Sequence, residues 1–179
     1  MDRPLNSVYF AHGMESGPWG TKIKRLGRIA RAMGFHVESI DYQGMMDPDR
    51  RVEKLLSLKP AALDHLVLVG SSMGGYVAAA ASEVLKPQGL FLMAPAVLIE
   101  GFGKKPPVPH GGVCTAVHGW HDEIVPVENV LTFSRRHGIS LHLLNCGHTL
   151  KEVLPLVENL FEDFLNQVIS ASRTETFDV

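Results

Sequence analysis

Apolar positions along the chain follow two alternating rhythms. Short, almost unbroken β-rich runs occur at Ser7–Ala11, His36–Ile40, Leu66–Val69, Leu90–Met93, Val113–His118 and Leu141–Leu144. Such runs are what strands look like when helices cover both faces of a parallel sheet. Between them the apolar residues take on helical spacing. In "TKIKRLGRIARAMG", Ile23, Leu26, Ile29 and Met33 share one face, and Gly34 supplies a stop. A second helix is expected to start near Asp47–Pro48, a capping residue followed by proline, and to turn Val52, Leu55 and Leu56 inward before Pro60. A third is expected from Met73 to Leu85, ahead of Pro87, and a fourth after Pro126, carrying Val127, Val130, Leu131 and Phe133. The last, Lys151 to Ser170, lays Leu154, Val157, Leu160, Phe161, Phe164, Leu165 and Val168 along one broad stripe.

Six strand-like runs with intervening helices predict an α/β fold, a three-layer α/β/α sandwich around a six-stranded, mainly parallel sheet. A length of 179 residues fits a single domain, 1–179, with one sizeable core. Only the Pro- and Gly-rich stretch Ala96 to Gly112 looks lid-like, and it is too short for a folded cap. The polar tail "SRTETFDV" is expected to fray.

Composition narrows the partners. Hydrophobic residues make up 45% and charged residues 20%, an ordinary folded balance. A net charge of -2 gives no footprint for nucleic acid or an anionic membrane. The densest basic cluster, Lys22 to Arg31, recurs at helical spacing and reads as a solvated helix face. The start "MDRPLNSVYFAHG" is no secretory signal, and no run approaches the ~20 apolar residues of a membrane span. The expected location is the cytoplasm. Cys114 and Cys146 fit a reducing compartment, and their spacing makes no metal pair. Lying near the start of the fifth strand and past the end of the sixth, they are expected not to bridge.

The candidate chemistry begins at "GSSMGG", residues 70 to 75. Ligands of parallel α/β sheets bind beyond the carboxyl ends of the strands, and these serines sit at such an end. Gly-x-Ser-x-Gly fits in one register only, Gly70, Ser71, Ser72, Met73, Gly74, so Ser72 is the candidate nucleophile and Ser71 the spacer. Side chains two positions either side of the turn would collide with strand or helix. The small residues Ala78 to Ala81 let the following helix lie close to the sheet. A glycine-rich helix start with an N-capping serine would give the same letters, so the pentad needs company. A serine hydroxyl needs a base, and the base needs an acid to orient it. "HGWHDEIVP" puts Asp122 beyond the fifth strand, and "LNCGHTL" puts His148 beyond the sixth.

With "YFAHGMESGP", "VGSSMGG", "HGWHDEIVP" and "CGHTL" in this order, the sequence resembles the α/β-hydrolase superfamily, as a small serine hydrolase or esterase without a cap domain. The resemblance implies Ser72, Asp122 and His148 as the catalytic residues. It implies backbone N–H groups of Met14 and Met73 as the oxyanion donors, with His12 and Gly13 as turn-formers and His12 making a structural hydrogen bond. Bringing Met14 beside Ser72, together with right-handed crossovers, favours the strand order 2-1-3-4-5-6. The implied activity is cleavage of small acyl esters, carboxylesterase-like, through an acyl-enzyme. The implied partner is a small-molecule ester, with neither a metal nor an organic cofactor. A thioesterase or amidase with the same residues, and a non-catalytic binding protein on the same fold, stay open.

Several nearby residues invite other readings. His118, His121 and Asp122 are close in sequence, but a zinc site needs ligands that converge in space, and His118 ends a strand. Glu123 rivals Asp122, and the family spacing to "VP" selects Asp122. Cys146 has no elbow around it and reads as buried and inert. Asp41 reads as a turn-former after the second strand. Trp120 and Tyr42, on loops at the active end, are candidates to line the substrate pocket, with packing as the equal alternative. Only 17 residues separate Pro95 from Val113, so the site is expected to be open and shallow.

Overall fold

The computed structural model describes residues 4–174. Its strands are β1 (Asn6–Ala11), β2 (His36–Ile40), β3 (His65–Ser71), β4 (Gly89–Met93), β5 (Val113–Gly119) and β6 (Ser140–Leu144). Its helices are α1 (Thr21–Ala32), α2 (Pro48–Ser57), α3 (Met73–Leu85), α4 (Val127–His137) and α5 (Leu154–Thr174). All neighbouring strands pair in parallel, in the order β2-β1-β3-β4-β5-β6, as the apolar runs and crossover handedness predicted.

Alternation along the central strands feeds two cores. Val8, Phe10, Val67, Val69, Phe91 and Met93 face one layer, where they meet Ile23 and Leu26 of α1 and the stripe Leu154, Val157, Phe161, Phe164, Leu165, Val168 of α5. Leu68, Leu90, Leu92 and Ala116 face the other, against Leu55 of α2, Val77 and Ala81 of α3, and Val130 and Phe133 of α4. Every residue of β3 is buried, which explains why its sequence reads as an apolar run. The edge strands β2 and β6 keep exposed or half-exposed positions. Each fully buried Leu or Phe contributes about 1.5–3 kcal/mol, so the long stripe of α5 anchors one whole layer.

Local signals set most of the ends. Asp47 caps α2 by accepting from the amides of Asp49 (2.8 Å) and Arg50 (3.2 Å), with Pro48 at the first helical position. Gly34, with φ of 85°, follows the end of α1. Asp41 accepts from the Gln43 amide at 2.9 Å and shapes the turn after β2. Helix α5 differs from expectation, starting at Leu154 rather than Lys151. Leu150 has φ of 57°, and a turn closed by Leu154 N–H to Lys151 O (3.3 Å) precedes the helix.

The segment from 96 to 112 is strapped to three helices. Asp49 accepts from the Lys104 amide (2.8 Å) and from the Tyr76 hydroxyl (2.8 Å). Asn129 donates to the carbonyls of Val97 and Leu98, and the His110 amide donates to Ser82 Oγ. Both cysteines are free, Cys114 half-buried in β5 and Cys146 buried beyond β6. Among the described residues no helix is long and apolar enough to cross a membrane.

Candidate active site

The elbow begins where β3 ends. Ser72 takes φ 54° and ψ -121°, a region that non-glycine residues rarely visit, and its geometry is held from outside. Its N–H donates to Met93 O at the end of β4 (2.9 Å), and its carbonyl accepts from Gly75 N–H (2.8 Å) and Ala96 N–H (3.0 Å). Ser71, still within β3, is buried. The two flanking glycines are needed for close approach. A Cβ on Gly70 would lie 2.1 Å from Gly74 O, and one on Gly74 would lie 1.9 Å from Ala11 O. These are the strand and helix collisions that the glycine register implied.

Two later strand ends bring Asp122 and His148 to this serine. Trp120 N–H donates to Leu144 O (2.9 Å) and His121 N–H to Cys146 O (3.0 Å), tying the loop after β5 to the loop after β6. Asp122 Oδ1 accepts from the amides of Ile124 and Val125, both at 2.9 Å. Its Oδ2 accepts from His148 Nδ1 at 2.7 Å, and His148 Nε2 lies 2.9 Å from Ser72 Oγ. A carboxylate can only accept, so Nδ1 carries the hydrogen and Nε2 is free to accept from the serine hydroxyl. The Asp122 side chain is fully buried, whereas His148 keeps 17% exposure. One hydrogen-bonded line thus joins residues that lie far apart in the chain.

His118 supports this line from behind. Wholly buried in β5, it donates through Nε2 to Val125 O (3.1 Å), with Asp122 Oδ2 3.5 Å away. Burial lowers its pKa, Asp122 opposing, and its Nδ1 has no partner among the described residues. Those residues also contain no group of three or more metal-ligating side chains.

The loop after β1 approaches the elbow from the other side. A Cβ on Gly13 would sit 3.5 Å from Ser72 Cβ. Neither the Met14 nor the Met73 amide has an acceptor among the described residues, and Met73 opens α3, whose N-terminus favours negative charge. His12 is buried and makes structural hydrogen bonds: Nδ1 donates to Gly13 O (2.7 Å), and Nε2 accepts from Tyr42 N–H (2.9 Å). Burial lowers its pKa, which suits a ring whose second nitrogen must accept.

Two expectations need correction. Tyr42 does not line an open pocket; it is wholly buried, with its ring 5.4 Å from that of His12 and the Arg51 guanidinium 5.2 Å from its centre. Its position after β2 suggested the active edge, but the turn at Asp41 folds it into the core. Of the basic cluster read as a solvated face, Lys24, Arg28 and Arg31 are exposed, whereas Lys22 is half-buried. Burial brings its ammonium down to about 8, Lys151 adding to the effect while Asp122 and Cys146 oppose it. Trp120 does stay half-exposed on its loop beside Asp122. Sequence reasoning missed Arg51, which is fully buried. The available signal was its phase, since Arg51 precedes the inward-facing Leu55 by one helical turn.

Comparison with known proteins gives the family. The model of the "Alpha/beta hydrolase family" matches residues 8–126. No curated protein matches the chain. Among solved structures, the chain is similar to a Xanthomonas campestris pv. campestris protein of the alpha/beta superfamily, with 30% identity and a TM-score of 0.81 over 90% of this chain and 99% of that one. Est1E from Butyrivibrio proteoclasticus shares 16% identity, covers 94% of this chain and 90% of its own, and has a TM-score of 0.75. A Xanthomonas campestris α/β serine hydrolase without a lid shares 22% identity over 93% of this chain and 83% of its own, with a TM-score of 0.65. The parallel sheet, the elbow after its third strand and these matches together place the chain in the α/β-hydrolase family.

Proposed function

We propose that this hydrolase is a serine esterase of small acyl esters, carboxylesterase-like, working through an acyl-enzyme. The observation that carries the reading is the line Asp122 Oδ2, His148, Ser72 Oγ, with contacts of 2.7 and 2.9 Å. Ser72 Oγ attacks the acyl carbon while its proton passes to His148 Nε2. The imidazolium that forms is stabilised by the buried Asp122 carboxylate. Negative charge gathers on the former carbonyl oxygen and meets the amides of Met14 and Met73. His148 then returns the proton to the leaving alcohol. A water molecule, deprotonated by the same nitrogen, attacks the acyl-enzyme and releases the acid. Short loops and the absence of a folded cap between β4 and β5 favour small substrates at an open site.

The test is labelling by a serine-reactive fluorophosphonate, followed by turnover of p-nitrophenyl esters of increasing acyl length. Ser72→Ala is expected to abolish labelling and lower turnover by about 10⁴-fold, and Ser71→Ala to retain both. A parent chain that neither labels nor turns over any ester, thioester or activated amide would instead be a binding protein on this fold. Labelling that moves with Ser71 would overturn the assignment of the nucleophile.

A further inference from the structure

We propose that Arg51 is a positioning residue for the oxyanion hole, fixing the Gly13–Met14 peptide so that the Met14 N–H faces the reacting carbonyl. The inference rests on the reading of Ser72 as nucleophile and Met14 as donor. Arg51 projects from α2 and its side chain is wholly buried. Nε donates to Met45 O (2.7 Å), and Nη1 donates to His12 O (3.0 Å) and Gly13 O (3.2 Å). Nη2 reaches Tyr42 O (3.4 Å) and Met14 O (3.5 Å). No carboxylate lies within ion-pair distance of it among the described residues. A buried charge is costly unless hydrogen-bonded, and the hydrogen-bond acceptors of this one are all carbonyls on the loops after β1 and β2, beside the Tyr42 ring.

The placement of those carbonyls gives the residue its role. Gly13 C=O and Met14 N–H belong to one peptide unit, which is trans like the others among the described residues, so the two groups point in opposite directions. Arg51 Nη1 and His12 Nδ1 both donate to the Gly13 oxygen, which fixes the plane of that peptide. A Cβ on Gly13 would lie 3.5 Å from Ser72 Cβ, so this peptide sits beside the serine. A cationic donor on the carbonyl also polarises the amide and strengthens its N–H as a donor. Lysine cannot replace this arrangement, because it offers a point charge and not a planar fork of five donors.

The experiment measures kcat, KM and thermal stability for the parent chain, Arg51→Lys, Arg51→Gln and His12→Gln. Rates are normalised to competent sites by fluorophosphonate titration. A trifluoromethyl ketone, whose serine adduct carries an oxyanion, reports on the hole itself. Arg51→Lys and Arg51→Gln are expected to lower kcat and the ketone's affinity together by about 10- to 100-fold, with KM nearly unchanged. His12→Gln, which alters the other donor on the same carbonyl from outside α2, is expected to show the same split, so the inference does not depend on one variant folding. Leu55→Ala, equally buried on α2, is expected to lower the melting temperature with kcat retained. The inference is overturned if the Arg51 and His12 variants keep parental kcat and ketone affinity, or if Leu55→Ala reproduces their kcat loss. Failure of the underlying reading looks different, because Ser72→Ala would then remain active and labelled.

Discussion

The close approach of α3 to β1 can be tested by adding one methyl group. In Gly74→Ala the new Cβ falls 1.9 Å from Ala11 O, 2.4 Å from Ala11 C and 2.8 Å from His12 O. These are backbone atoms that cannot rotate aside. Carbon and oxygen settle at ~3.3 Å or more, so helix and strand end must part by about 1.4 Å. Overpacking of this kind costs about 1–3 kcal/mol, which lowers the melting temperature by roughly 2–12 °C in a chain of this size. The displaced atoms begin the loop that carries Met14, and a misplacement of about 1 Å costs on the order of 10²-fold in rate. Thermal unfolding followed by circular dichroism reads the first effect, and p-nitrophenyl acetate turnover at saturation reads the second. Gly27→Ala is the control, since its added Cβ comes no nearer than 3.4 Å to any neighbour. In a helix interior that change favours folding by about 1 kcal/mol. A Gly74→Ala chain with the parent's melting temperature and turnover would refute the argument from close approach.

Three further outcomes follow from other contacts. Asp122→Asn is expected to lower kcat by about 10⁴-fold, because an amide can present N–H to His148 Nδ1 and favour the wrong tautomer; parental pre-steady-state acylation would exclude that role. Burial pushes the Cys114 thiol up to about 11, so the native protein stays mostly protonated there at neutral pH, and iodoacetamide alkylation is expected to climb through pH 10. A rate that levels off near pH 9 would show an unshifted thiol. Asp49→Ala removes the acceptor of Lys104 N–H and leaves Tyr76 O–H with only Lys105 O, and limited trypsinolysis after Lys104 is expected to accelerate. Cleavage at the parental rate would mean that the strap does not restrain the segment.

Much of the fold was legible because burial on both sheet faces leaves unbroken apolar runs, and because proline and glycine punctuate the helices. The strand order followed from crossover handedness together with the need to bring two motifs into contact. Ser72 was legible for a steric reason, since only one register puts glycine where Gly74 O and Ala11 O leave no room. The start of α5 was not, because its apolar stripe continues through Val153, which lies in the preceding turn. Arg51 and Tyr42 were hidden by their letters. A basic residue in "DPDRRVEK" has the composition of a solvated helix face, and a tyrosine after a strand has that of a pocket wall. Arg51 is met by a cluster of backbone carbonyls, which leave no mark in a sequence, and Tyr42 packs between the His12 ring and the Arg51 guanidinium. His118 was hidden differently: its place at a strand end spoke against a metal site but named no partner, and its ring meets Val125 O with the Asp122 carboxylate 3.5 Å away.

The left-handed backbone of Ser72 sets two selective pressures against each other at a single residue. Its φ of 54° is held by Met93 O, Gly75 N–H and Ala96 N–H, so three surrounding segments are committed to a conformation that serine disfavours by about 1–3 kcal/mol. Any drift toward a more relaxed elbow gains stability and moves Oγ away from His148. A descendant of this chain no longer selected for turnover has its easiest route to a sturdier fold at the proposed nucleophile itself. In such a lineage loss of the serine would be a gain for the scaffold, and the surrounding glycines would outlast the chemistry that required them.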